Sequence, residues 1–156
     1  MREVEFRGFA VDEKKWFYGS YLKLDKVTLC PIGITEDDIN NNQQHYIIFQ
    51  GFSDWNMPKQ NYRVDIVPES VGQYTGFQDK HGKKIYEGDI VNNPECAVLD
   101  GTVQYLSEVV FHKGKWMLKE KLKSGEYVID CNLYSEVRIL EVVGNRFDNP
   151  ELIKEE

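Results

Sequence analysis

The sequence predicts a mainly β fold, made of coiled or bifurcated antiparallel sheets with a small SH3-like, barrel-like C-terminal half. The 156 residues include nine Tyr, eight Phe and three Trp, and aromatic and β-branched residues suit a pleated, half-buried surface. Short stretches of alternating apolar and polar residues are separated by glycines and polar turns. We expect a single domain over residues 1–156, or two packed lobes: residues 1–66 with the N-terminal hairpins, and residues 67–156 with the barrel-like region.

The N-terminal part predicts hairpins. Alternation and breakers favour four strands, at residues 4–9, 16–22, 45–49 and 62–67. Pro68 ends the fourth strand and holds the preceding Val67 in an extended conformation. Residues 36–44 are rich in Asp, Asn and Gln and lack a wide apolar face, so they predict an exposed loop with room for one helical turn.

Residues 71–91 carry the densest run of turn signals in the chain. Asp79 can accept hydrogen bonds from the backbone just downstream, and Gly82 can adopt the positive φ that closes a type I turn with a bulge. Residues 79–82 therefore predict a hairpin tip. A second turn is predicted at residues 87–89, around Gly88. The glycines of this run match neither phosphate-loop pattern, and no good helix follows them, so we interpret them as turn formers.

The C-terminal part predicts several further short strands. They fall at residues 101–105, 109–111, 116–118, 127–129 and 137–143. Residues 117–123 stay ambiguous, because they are good helix formers between strand-like flanks.

One segment of the sequence is specific enough to indicate a family. The run Val-Pro-Glu-Ser-Val-Gly-Gln-Tyr-Thr-Gly-Phe at residues 67–77, continued by residues 79–91, resembles the signature of the YopX family. Residues 2–7, Tyr18-Gly19 and residues 141–152 extend the resemblance over much of the chain. The resemblance implies an intracellular, mostly β protein encoded by a phage or prophage, without an assigned activity or catalytic residues to transfer. We assign the signature to architecture, through Gly72, Tyr74, Gly76, Gly82, Gly88 and Asp89.

Charge and cysteine content indicate the compartment. A formal charge of −7 favours solubility and disfavours non-specific binding to nucleic acid or to an anionic membrane. The first seven residues interleave charged and apolar side chains, so they predict neither a signal peptide nor a membrane span. Three widely separated cysteines fit reduced, buried thiols; they are Cys30, Cys96 and Cys131. We therefore expect a cytoplasmic protein.

The sequence offers no pattern typical of catalysis or metal binding. Each histidine stands alone, and no cysteine has a close Cys or His neighbour, so we expect no zinc site; the histidines are His45, His81 and His112. The acids Glu36, Asp37 and Asp38 are interpreted as a solvated loop rather than a hard-cation site. Glu87 and Asp89 are interpreted as turn caps rather than a catalytic pair. We expect no enzyme activity, no metal and no cofactor.

Aromatic residues beyond the needs of the core indicate protein contacts. The residues in question are Trp55, Trp116, Tyr134 and Phe147, which we expect to be exposed. The first functional hypothesis is therefore a non-enzymatic interaction or assembly module of a phage or prophage. Its partner would be a second copy of the chain, a host protein or a phage protein.

Lysines interleaved with aromatic residues support an alternative hypothesis. Lys80, Lys83 and Lys84 lie close in sequence to Tyr74 and Phe77, and five lysines surround Trp116; they are Lys113, Lys115, Lys119, Lys121 and Lys123. Such clusters can track a phosphate backbone and stack bases. The alternative is an accessory protein of phage DNA metabolism that contacts nucleic acid, or an acidic mimic of DNA.

Overall fold

The computed structural model describes residues 3–28, 32–33, 35–52, 54–93, 106–121 and 127–153. The chain divides into two compact units. The N-terminal unit is Glu5–Val71, and the C-terminal unit begins at Gly72 and includes the residues up to Val4. This boundary lies a few residues beyond the predicted division between residues 66 and 67. That the whole chain is one domain stays a prediction.

The N-terminal unit contains a four-stranded antiparallel arrangement in the order β4-β3-β2-β1. Its strands are β1 (Phe6–Phe9), β2 (Trp16–Asp25), β3 (Gln43–Gln50) and β4 (Asn61–Asp65). The predicted hairpin at the N-terminus is present, with Phe9 opposite Trp16. The positive φ of Lys14 lies in its charged turn.

Apolar residues from one face of these strands form the core of the N-terminal unit. Its buried members are Ala10, Ile47, Val64 and Ile66, with Phe6, Phe17, Tyr21, Phe49 and Val71 packed against them. The rings of Phe17 and Phe49 lie 5.0 Å apart between centroids. This packing explains the alternation in the sequence, because successive side chains of a strand point to opposite faces.

The connection from β2 to β3 contains a short helix, α1 (Glu36–Asn41). The predicted loop thus contains a helical turn. Reciprocal hydrogen bonds between Thr35 and Asp38 cap the start of this helix. The Asp38 N–H donates to Thr35 Oγ1 at 3.2 Å, while the Thr35 N–H donates to Asp38 Oδ2 at 3.0 Å. Such a capping box satisfies donors that the first helical turn leaves unpaired.

The C-terminal unit contains a five-stranded antiparallel sheet in the order β10-β9-β8-β7-β11, and the antiparallel hairpin β5-β6. The hairpin strands are β5 (Gly72–Gln78) and β6 (Lys84–Tyr86), and the sheet strands are β7 (Asp89–Asn92), β8 (Leu106–His112), β9 (Lys115–Lys121), β10 (Tyr127–Asn132) and β11 (Glu141–Asn145). A single helical turn, α2 (Leu133–Glu136), follows β10. The mainly β prediction is confirmed. Over the described residues, the five-stranded sheet is open and does not close into a barrel.

Several sequence predictions concern particular segments of this unit. The ambiguous residues 117–123 are a strand as far as Lys121, and the last two lie outside the described residues. The strand predicted at residues 101–105 also lies outside them, as do Cys30 and Cys96. Cys131 lies in β10, but its side chain is not among the described features.

The core of the C-terminal unit contains Trp116, which we had expected at the surface. Its buried members are Ile85, Val91, Val109, Trp116, Leu118, Leu133, Leu140 and Val142. Trp116 is only 8% exposed, so the prediction that it lies at the surface is wrong. The two-residue period of β9 directs Trp116 and Leu118 into this core and Lys115 to the opposite face.

Candidate functional site

The Asp79 side chain organises the hairpin tip of the family-like segment. Its Oδ1 accepts hydrogen bonds from the N–H groups of His81 (2.8 Å) and Lys83 (2.9 Å). Its Oδ2 accepts one from the N–H of Val142 in β11, at 3.1 Å. The Gly82 N–H donates to the Asp79 carbonyl at 2.9 Å, so the predicted tip at residues 79–82 is present. One carboxylate therefore closes the tip and fastens it to β11.

The environment of Asp79 keeps it ionised. Burial raises the pKa of its carboxyl, but the N–H groups of Val142, Lys83 and His81 together outweigh burial, and the pKa lies below its ordinary value. A carboxylate used in this way is stabilised as an acceptor and is poorly suited to donate or abstract protons. Asp79 is therefore a structural acid.

Three of the four signature glycines have backbone conformations that other residues avoid. Gly82 and Gly88 have φ values of 82° and 76°, so the positive φ predicted for Gly82 is confirmed, and Gly88 in the second predicted turn has a positive φ as well. Gly76 has a φ of 90° and lies where the β5–β6 register shifts between Tyr74 and Gln78, as expected of a bulge. Gly72 begins β5 and is buried. The positive φ at Gly76, Gly82 and Gly88 favours glycine, because L-residues pay a steric cost in this region.

The second turn joins three strands of the C-terminal unit. The Tyr86 N–H donates to Asp89 Oδ2 at 2.7 Å, so Asp89 caps the turn as predicted. The Gly88 N–H donates to the carbonyl of Val109 in β8, and the Gly88 carbonyl accepts from the Arg146 N–H, both at 2.8 Å.

A nearly buried glutamate lies close to the same turn. Glu108 forms ion pairs with Arg146 at 3.3 Å and with Lys119 at 3.4 Å. Lys119 lies directly opposite Glu108 in the β8–β9 register. Both cations are directed at this carboxylate, so the cluster is paired internally, as a nearly buried charge requires.

The lysines of the hairpin tip contact the protein itself. Lys80 forms an ion pair with Glu141, and Lys83 Nζ lies 3.5 Å from the Val142 carbonyl. Lys84 Nζ lies 3.0 Å from Glu3 and 4.9 Å from the centre of the Tyr74 ring. Tyr74 is buried and packs against Tyr86, so its ring is not available to stack a base. Phosphate binding here would have to compete with these contacts.

The β8–β9 hairpin presents the second lysine cluster differently. Lys113 and Gly114 form its two-residue turn, both with positive φ, a geometry that suits the twist of paired strands. Lys113 and Lys115 are exposed. The exposed aromatic beside them is Phe111, whose ring lies 4.9 Å from that of Trp116. The sequence prediction chose Trp116, whereas the exposed ring is that of Phe111, which lies opposite Trp116 in the β8–β9 register.

The loop between β3 and β4, residues 51–60, exposes large apolar side chains. Phe52, Trp55 and Met57 are 82%, 90% and 63% exposed. Hydrogen bonds from Gly51 N–H to the Gln60 carbonyl and from Met57 N–H to the Asp54 carbonyl shape the loop. We name it the apolar loop. The sequence indicated Trp55 but missed its two neighbours, since single apolar residues among turn formers give no periodic signal.

The other two aromatic residues that we expected at the surface differ from each other. Tyr134, in α2, is largely exposed and its ring lies 5.9 Å from that of Phe77. Phe147 is half-buried. Tyr134 is therefore available for contact with a partner, whereas the Phe147 side chain is partly covered by the protein and partly exposed to solvent.

Within the described part of the chain, no three His, Cys, Asp or Glu side chains are grouped so as to hold a metal ion. None of the described helices has the length and apolar character needed to cross a membrane.

Comparison with known proteins gives a family. The model of the family described as YopX protein matches residues 5–154. The chain belongs to the YopX family. Among solved structures, this YopX protein is similar to the crystal structure of protein EF1440 from Enterococcus faecalis, with 22% sequence identity and a TM-score of 0.55 over 99% of this chain and 100% of that chain. That likeness concerns the fold alone. No curated protein matches the sequence.

Proposed function

We propose that this YopX protein is a non-enzymatic interaction or assembly module of a phage or prophage, and that it contacts its partner through the apolar loop. The observation that carries the proposal is the exposure of Phe52, Trp55 and Met57 within one ten-residue connection. The acids around the family signature support it as well, because Asp79, Asp89 and Glu108 bind backbone amides or cations of the protein itself.

The energetic argument rests on the area that these side chains leave in water. Aromatic side chains bury about 150–250 Å² each when covered, and burial stabilises by about 25 cal/mol per Å². Covering the two rings of the apolar loop would thus contribute several kcal/mol to association before the costs of ordering. Tryptophan is among the residue types that are enriched at binding hot spots.

The test combines hydrodynamics with a matched pair of variants. We would measure the mass of the wild-type protein by size-exclusion chromatography with light scattering, and recover partners from a host lysate. Trp55→Ala should abolish the self-association or partner recovery that the wild type displays, without lowering the urea midpoint. The control is Tyr18→Ala, which removes a half-exposed ring from β2 of the same unit and should leave binding unchanged. A strictly monomeric wild type that recovers no partner would refute the proposal.

A second candidate function is nucleic-acid contact at the β8–β9 hairpin. It is favoured by the grouping of exposed Lys113, Lys115 and Phe111 around one turn, since cations beside an exposed ring suit a phosphate backbone and a stacked base. Labelled single- and double-stranded DNA would be titrated at rising salt concentration. Binding should weaken steeply with salt and be lost in the Lys113→Glu/Lys115→Glu variant, but not in Lys59→Glu. No binding at low salt would remove this candidate.

A further inference from the structure

The outer edge of β11 is covered by the hairpin tip. β11 is the last strand of the five-stranded sheet, and β7 is its one paired neighbour among the described strands. In an antiparallel ladder, every second residue directs both its N–H and its carbonyl away from the neighbouring strand. Val142 is such a residue, since its N–H donates to Asp79 Oδ2 at 3.1 Å and its carbonyl lies 3.5 Å from Lys83 Nζ. The tip therefore occupies the side of β11 on which a sixth strand would pair.

The contact continues along the strand from Val142 to Leu140, two residues earlier and on the same side. The Leu140 carbonyl accepts a hydrogen bond from the Lys80 N–H at 3.0 Å. Along the edge of β11, the tip and Lys83 just after it thus present a donor, an acceptor and a second donor, as a paired strand would. The acceptor and the second donor belong to the side chains of Asp79 and Lys83, so the tip satisfies the edge without extending the sheet.

The sequence of this edge favours pairing with another chain. Residues 139–143 are Ile-Leu-Glu-Val-Val, which contain one charge and no proline. Short segments that are rich in β-branched residues and poor in charge pair readily when their backbone groups are open. Val143 is also 43% exposed. Without the tip, β11 would present an open apolar edge to other chains.

We propose that the hairpin tip keeps β11 from pairing with the β11 strand of a second copy, and that opening the tip converts this edge into a dimer interface. The edges of two copies are identical, so they can pair antiparallel about a two-fold axis, which covers both. Asp79 controls the contact, because its Oδ1 closes the tip while its Oδ2 binds the strand. The proposal is independent of the apolar loop, which belongs to the N-terminal unit.

The experiment measures mass by size-exclusion chromatography with light scattering over a series of protein concentrations. Every protein carries Trp55→Ala, so that association through the apolar loop does not contribute. Asp79→Ala leaves the Val142 N–H without its acceptor, and the mass should double as the concentration rises. The matched control is Gly82→Ala, which strains the same tip but keeps the Asp79 carboxylate; its mass should stay that of the Trp55→Ala parent.

Hydrogen exchange shows whether the new contact is made by the strand. In Asp79→Ala, the Val142 amide should exchange rapidly in dilute solution and slowly at concentrations where the mass has doubled. Adding Val143→Lys should restore the parental mass, because a charge on an edge strand opposes pairing with another chain. Loss of stability alone would not give this rescue.

Urea midpoints identify any variant that fails to fold. Asp79→Asn keeps the test valid if Asp79→Ala unfolds, because the amide retains one acceptor oxygen for the tip. An unchanged mass in both folded Asp79 variants would overturn the proposal. So would a Val142 amide that exchanges as fast in concentrated as in dilute solution, equal dimerisation of Gly82→Ala, or a dimer that survives Val143→Lys.

Discussion

Asp79 connects three backbone amides, of which two lie within four residues and the third lies in β11. Each of these bonds has an ionised acceptor, and such bonds are about twice as strong as neutral ones. The stability that the side chain provides is therefore tied to its charge. At the scale of the single residue, this makes Asp79 sensitive to both substitution and acid.

We expect Asp79→Asn to lower the free energy of unfolding by about 1–3 kcal/mol at neutral pH, because the amide offers one acceptor oxygen where the carboxylate offers two. The pKa of folded Asp79 lies below its ordinary value of 3.8. Its stabilising contribution is thus present above pH 3.8 and is lost as the pH falls from there through the folded pKa. Urea unfolding of both proteins from pH 7 to pH 3 should show the difference narrowing only at the acidic end. A constant difference would mean that the charge is irrelevant.

The two turn glycines should respond differently to alanine. At Gly82 a Cβ would meet open space, so only the backbone strain of about 1 kcal/mol applies. At Gly88 a Cβ would also lie 3.0 Å from Arg146 Nε, and moving that side chain would disturb its pair with Glu108. We expect Gly88→Ala to have the lower urea midpoint of the two variants.

The controls for the glycine variants are Lys80→Ala and His81→Ala, which change exposed residues of the tip and should stay within about 0.5 kcal/mol of wild type. If the glycine variants were as stable as wild type while the Lys80 and His81 variants lost a partner, the signature would be a recognition surface rather than an architectural one.

At the scale of the element, β9 illustrates how packing overrides local preference. Lys, Leu and Glu in residues 117–123 favour a helix when isolated, yet the segment is a strand as far as Lys121 because β8 and β10 pair with it on both sides. The strand signal is the apolar run Trp116, Met117 and Leu118, which is too short to outweigh helix propensity in a single sequence. The same pairing buries Trp116.

The connection from β2 to β3 depends on Asn42 in the way that the hairpin tip depends on Asp79. Asn42→Ala should lower the free energy of unfolding by about 1–3 kcal/mol, because it leaves the N–H and carbonyl of Val27 without their side-chain partner. Hydrogen exchange should accelerate at Val27 first. Gln50→Ala removes only an exposed bond to Asn61 and should change neither observable. Unchanged exchange at Val27 in Asn42→Ala would contradict this role.

At the scale of the whole molecule, the features that could be predicted are those set by residues close together in the sequence. The mainly β fold, the tip at residues 79–82 and the positive φ of Gly82 follow from residue types within a few positions of one another. The bond between Asp79 and Val142 spans 63 positions, and nothing local indicates it. The candidate surfaces were predictable only in part, because exposure depends on which face of a strand the tertiary packing buries.

Because the net charge is −7, added salt should have opposite effects on the two proposed functions, self-association and nucleic-acid binding. Between about 0.1 M and about 1 M salt the screening length falls from about 10 Å to about 3 Å. Self-association of like-charged copies should strengthen over this range, whereas nucleic-acid binding should weaken because counterion release loses its advantage. Sedimentation of the protein alone and anisotropy of labelled DNA across the same salt series would distinguish them. Self-association that weakened with salt would exclude the apolar loop as its main contact.

Because Asp79 and its partner Val142 are 63 positions apart in the sequence, their hydrogen bond also sets an order of events during synthesis. Domains are completed from the N-terminus as the chain emerges, so Asp79 leaves the ribosome well before Val142 and Glu141 exist. The N-terminal unit, Glu5–Val71, has by then been delivered in full and can form its sheet. At that stage Asp79 cannot yet accept a hydrogen bond from the Val142 N–H, and Lys80 cannot yet pair with the Glu141 carboxylate. Nascent YopX chains halted before β11 should therefore resist proteolysis in the first unit and be cut in the second.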